Sequence, residues 1–94
     1  MIAVEAARGE SEWTCEVAVE QAGRRTEHTV TVSPASVARW ARGSDRQDVE
    51  DLVHRSFEFL LEREPATSIL RRFDLSVIET YFPEYDEMIR RGSN

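Results

Sequence analysis

His54, Glu58 and Glu62 recur at intervals of four and would share one face of a helix. Imidazole nitrogen and carboxylate oxygen at that spacing can hold a metal ion. A fourth ligand would have to come from elsewhere, and the other histidine, His28, falls on the inner side of a predicted strand. The same spacing of acids and bases describes any water-facing helix side, so no metal and no cofactor is assigned. Cys15 and His28 form a second pair, able in principle to supply a thiolate and its base. Both occupy core-directed positions on neighbouring strands, where a cysteine behaves as an inert small hydrophobe. The chain has no Ser-His-Asp arrangement, glycine-rich phosphate loop or Walker-type motif. The balance leans away from an enzyme. The alternative, a small enzyme or a metal- or ligand-binding protein, would have to use His54, Glu58 and Glu62 or the Cys15–His28 pair.

A third group is the charged triplet that ends the most apolar run, Phe59-Leu60-Leu61-Glu62-Arg63-Glu64-Pro65. A helix continued through 64 leaves Glu62 in water but turns Arg63 and Glu64 onto the apolar side. A charge there needs a partner, because an unpaired buried ion costs several kcal/mol. Asp74, Glu79, Glu84 and the hydroxyls of Tyr81 and Tyr85 are the possible partners. Glu62, Arg63, Glu64, Glu84 and Tyr85 are therefore the candidate partner-binding or clamp residues, with Arg63 tying the long helix to the segment 74–85.

The elements that must position these groups follow from periodicity. Residues 12–20 alternate, with Trp13, Cys15, Val17 and Val19 on one side, as a half-buried strand requires. Residues 25–32 repeat the pattern with Thr26, His28, Val30 and Val32. A tight turn at Ala22-Gly23 pairs Glu20 with Arg25, Val17 with His28 and Cys15 with Val30, which puts both apolar sets on one face. Ile2 and Val4 predict a further strand, turning at Arg8-Gly9. Ser33-Pro34 then reads as an N-cap and first helical position, opening a short helix with Val37, Trp40 and Ala41 inward and Gly43 at its end.

Asp45 caps a long helix over about 46–63. Its broad apolar arc of Val49, Leu52, Val53, Ser56, Phe57, Phe59, Leu60 and Leu61 makes it the central element. Gln47, Asp51, His54, Arg55, Glu58 and Glu62 face water. Beyond Pro65 the spacing predicts a short helix with Ile69, Leu70 and Phe73. Two helical pieces follow, bent at Phe82-Pro83, with Val77, Ile78, Tyr81, Tyr85, Met88 and Ile89 inward. The tail Gly92-Ser93-Asn94 is expected to fray. The predicted fold is α+β, one domain over 1–94: a small antiparallel sheet of two to three strands over about 2–32, covered on one face by three to five helices over about 34–91.

With 94 residues the chain suffices for one core. Hydrophobic content of 40% and charged content of 32% describe a folded domain. A net charge of −6 argues against nucleic acid as a partner. The twelve basic residues are all arginine and are scattered, as a GC-rich genome or a hot environment would leave them. Arg71-Arg72 and Arg90-Arg91 read as charges at helix C-termini. One cysteine excludes an intrachain disulfide, the start "MIAVEAARGE" lacks the pattern of a signal peptide, and no apolar run could span a bilayer. A cytoplasmic protein without membrane contact is expected.

The run "SFEFLLEREPATSILRRFDLSVIETYFPEY", residues 56–85, resembles a stretch of small uncharacterised bacterial proteins. The resemblance implies a natural bacterial domain and carries no activity, cofactor or ligand. The reading as a whole points to a non-catalytic protein-interaction module, working as a homodimer or as the antitoxin-like half of a pair. Its expected surface is a sheet edge or the charged corner around 62–64 and 84–85.

Overall fold

Three strands form an antiparallel meander: β1 (Ile2–Arg8), β2 (Trp13–Gln21) and β3 (Arg24–Val32). A computed structural model describes residues 1–91, so the expected fraying of Gly92-Ser93-Asn94 lies outside the described residues. The β2–β3 register pairs Glu20 with Arg25, Val17 with His28 and Cys15 with Val30, as the alternation requires. Ala22 and Gly23 both adopt positive φ, 55° and 78°, the type I′ geometry whose twist matches the flanking strands.

A fourth strand, β4 (Arg72–Asp74), runs parallel to β3 and makes the sheet mixed, in the order β1-β2-β3-β4. It replaces the helix expected around Ile69, Leu70 and Phe73. Thr29 N–H donates to Arg71 O at 2.7 Å and Leu75 N–H donates to Thr31 O at 2.9 Å, so β3 supplies the partners that hold this segment extended. Only a single 3-10 turn at Ala66–Ser68 remains helical there. Arg71 and Arg72 consequently lie at the start of a strand and not at a helix C-terminus.

Among the described residues four α-helices accompany the sheet. The first, α1 (Pro34–Trp40), is capped by Ser33, whose Oγ accepts from Ser36 N–H at 3.1 Å. It stops at Trp40, short of Gly43. Gly43 has another role: a Cβ there would run into the carboxylate of Asp48, which accepts from Asp45 N–H at 3.1 Å and closes the start of the next helix. That helix is α2 (Arg46–Leu61), followed by α3 (Val77–Tyr81) and α4 (Tyr85–Arg91) across the Phe82-Pro83 bend.

The central position of α2 shows in aromatic contacts on two of its sides. Toward the sheet, Phe57 packs on His28 at 5.3 Å and on Phe73 of β4 at 6.1 Å between ring centres. Toward the helices, Phe59 meets Tyr85 and Phe82 edge-on at 5.3 and 5.9 Å, and Tyr85 meets Trp40 at 5.1 Å. Ser56 joins the second set, donating to Leu52 O at 2.7 Å while its oxygen lies 2.7 Å from the Tyr85 hydroxyl. A serine has one proton, so Tyr85 is the donor in that bond.

Two expectations about side-chain direction are corrected. Tyr81 and Met88, read as inward, are exposed, while Ile78, Tyr85 and Ile89 of the same stripe are buried. Arg55, read as wet, has only 11% of its side chain exposed. Its Nε donates to Asp51 at 2.9 Å and its Nη1 to Ile89 O at 3.0 Å, tying α2 to the last turn of α4.

Candidate functional site

Arg63 sits just past the end of α2, where Glu64 N–H still reaches Leu60 O at 2.9 Å. Its Nε donates to Glu84 at 3.2 Å and its Nη1 to Phe59 O at 3.1 Å and to Glu62 at 3.4 Å. The guanidinium carbon lies 3.6 Å from the centre of the Phe59 ring, a cation–π contact that also covers the ring. The Glu84 carboxyl is held below its ordinary value by its own backbone N–H and then by Arg63. Of the five possible partners of Arg63, the structure brings Glu84. Tyr85 is fully buried with its hydroxyl on Ser56, so it is a core residue and leaves the partner-surface set. Burial raises its pKa above the ordinary phenol value.

Glu64 points elsewhere. It lines an apolar cleft of about 300 Å³ whose floor is Leu60 and whose banks are the segment Ser68–Phe73 and helix α3. Ile69, Phe73 and Ile78 are buried beneath it, whereas Leu70 on one bank and Tyr81 on the other are 51% and 67% exposed. The Glu64 carboxylate makes no hydrogen bond or ion pair to a described residue, and no cation lines the cleft. The adjacent Arg63 is committed to Glu84 and Phe59 and does not neutralise it. The volume stands at the lower end of the roughly 300–1,000 Å³ of small-molecule pockets, which suits a side chain better than a nucleotide-sized ligand.

The other sequence candidates are not brought together. His54 Nδ1 lies 3.7 Å from Glu58, both on the outer side of α2, and Glu62 is turned to Arg63. Among the described residues no group of three His, Cys, Asp or Glu side chains is placed to hold a metal. Cys15 is fully buried, and burial first, then Glu50 and Glu16, push its thiol up to about 12, the reverse of an activated nucleophile. His28 spends both ring nitrogens on Leu70 O and Thr26 Oγ1. It is therefore a positioned core histidine and not a base for Cys15.

A sheet edge was also expected as a surface, and the β1 edge is partly closed. Met1 and Glu20 exchange both of their backbone hydrogen bonds, at 2.8 and 2.9 Å. Alternation from that pair directs the N–H groups of Ile2, Val4, Ala6 and Arg8 outward. Glu50 of α2 accepts the Ala6 N–H at 2.9 Å and stoppers the middle of that edge.

Sequence reasoning placed Glu64 on the apolar side but missed the cleft, which depends on β4. Comparison of the chain with protein-family models, with curated proteins and with solved structures finds no match.

Proposed function

We propose that the protein is a non-catalytic interaction module of the cytoplasm that receives an apolar side chain of a protein partner in the cleft beside Glu64. The observation that carries this reading is the pair of exposed apolar side chains, Leu70 and Tyr81, one on each bank over a buried apolar floor. Side chains of this kind around an open groove are what an interface core requires, and tyrosine is enriched there. Two partners fit the reading: a second copy of the chain, or the other half of an antitoxin-like pair. A single buried cysteine agrees with a reducing compartment.

The enzyme alternative draws no support from the geometry around Cys15, His28, His54 or Glu58. Paired capture experiments test the interaction reading. Tagged wild-type protein should retain a binding chain, either an untagged copy or another protein, that Leu70→Ser and Tyr81→Ala variants release. Identical retention by wild type and both variants would overturn the reading.

A further inference from the structure

Leu70 is followed directly by Arg71, and both are exposed. The Arg71 side chain makes no hydrogen bond or ion pair to a described residue, although its backbone carbonyl is fixed by Thr29 N–H at 2.7 Å. The chain thus displays, on a rigid bank, an apolar side chain beside an unpaired cation. A few residues away it also presents an apolar cleft beside an unpaired carboxylate, Glu64. The two features are complementary in kind and in charge, and Leu70 itself stands on one bank of the cleft.

We infer that the partner of the cleft is a second copy of this chain, seated reciprocally: Leu70 of each protomer enters the cleft of the other, and each Arg71 pairs with the opposite Glu64. This rests on the interaction reading above and specifies its partner. A two-fold axis makes such a contact self-complementary, since residue i touches j and j touches i, so the assembly closes at two copies and does not grow. Arg71 does not line its own cleft, which leaves it available to the opposite protomer. Strand pairing through β1, one of the two edges of the sheet, is another route to a dimer, but it would have to displace Glu50 from Ala6 N–H. With an interface centred on a side-chain-sized cleft, the dimer belongs to the weak, exchangeable class.

The two charges allow a swap experiment that needs no unidentified ligand. Sedimentation equilibrium of the full chain should give a monomer–dimer equilibrium. Glu64→Arg and Arg71→Glu should each raise the dissociation constant by about ten-fold or more, and the double variant should return it to within about three-fold of wild type. Isotope-filtered NOEs from Leu70 methyls to Ile78 and Tyr81 of the opposite copy give an independent readout on unmodified protein. A chain that stays monomeric at millimolar concentration overturns the inference, as does a dimer indifferent to the single changes or not restored by the double one. A monomer that still loses a different captured protein on Leu70→Ser would overturn the second-copy assignment alone and leave the interaction reading standing.

Discussion

His28, inside the core, holds the backbone of Leu70, on the rim of the cleft: its Nδ1 lies 2.8 Å from the Leu70 carbonyl oxygen. A carbonyl only accepts, so Nδ1 carries a proton, and in the neutral ring Nε2 accepts from the Thr26 hydroxyl at 2.9 Å. The position of one bank of the cleft is thereby set from strand β3. Replacing His28 by leucine strands two polar groups and should cost about 1–3 kcal/mol in urea denaturation. The same variant should move the amide resonances of Leu70 and Ser68 while those of the Asp51–Arg55 turn stay put. Unchanged stability and spectra would mean that the bond is incidental.

The β2–β3 turn carries a correctable strain. Ala22 occupies the left-handed region at φ 55°, which an L-residue with a β-carbon adopts at a cost and asparagine adopts more readily. Ala22→Asn should stabilise the chain by about 0.5–1 kcal/mol, read as a rise in melting temperature with the fold unchanged. Ala22→Val should lower it.

This hairpin was legible in the sequence because two signals agree there, a period of two on both sides and a two-residue turn that fixes the register. The fourth strand was not. Arg72-Phe73-Asp74 is too short for a period, and its extended state depends on Thr29 and Thr31, more than forty residues earlier. The spacing of Ile69, Leu70 and Phe73 imitates a helix in the absence of that partner. Tyr81 and Met88 share a helical spacing with Ile78, Tyr85 and Ile89, but two helices as short as α3 and α4 present fewer inward positions than that spacing suggests. The cleft inherits both errors, since β4 and α3 form its banks. The direction of Glu64 is legible, because its N–H still bonds to Leu60 O and so carries the rotation of α2 past the helix end.

Arg63 should act through its packing more than through its ion pair. Its side chain is 22% exposed and covers Phe59, whereas Glu84 is 48% exposed, where ion pairs contribute little. Arg63→Met should lower stability by about 1 kcal/mol, from the lost bond to Phe59 O and the cation–π contact. Glu84→Gln should leave the melting temperature nearly unchanged. If Arg63→Met barely shifts melting while abolishing partner capture, the residue belongs to the interface and is not a clamp between α2 and the segment before α4.

Asp86 makes the helical side of the core acid-sensitive. It accepts from Trp40 Nε1 at 2.8 Å and from Arg39 Nε at 2.9 Å. The Trp40 bond first, with Arg39 and Arg90 adding to it against the effect of burial, holds its carboxyl below the ordinary aspartate value. A depressed folded value contributes stability that is present above the unfolded value, about 3.9, and is lost as pH falls through the folded one. Wild type should therefore lose stability on acidification through that window. Asp86→Asn keeps an acceptor for Trp40 but has no proton to gain, so its urea midpoint should be lower at neutral pH and less dependent on pH below about 4. Parallel acid profiles for the two proteins would assign the sensitivity to other carboxylates.

Glu50 joins the open edge of the sheet to the buried thiol. Its Oε2 accepts the outward Ala6 N–H at 2.9 Å, and Ala6 stands opposite Cys15 in the β1–β2 ladder. Glu50 is also the second cause, after burial, of the raised Cys15 value of about 12. Geometry and charge can be separated by two substitutions. Glu50→Gln retains an acceptor for Ala6 but removes the charge, so it should lower the thiol's pKa without opening the edge. Glu50→Ala removes both, so the Ala6 amide should also exchange faster with solvent, and the exposed edge should template assemblies larger than a dimer. Native-state hydrogen exchange, thiol-modification rates against pH and sedimentation velocity read the three effects separately. Equal association of the two variants, both above wild type, would show that the charge, and not the occupied N–H, keeps β1 from pairing.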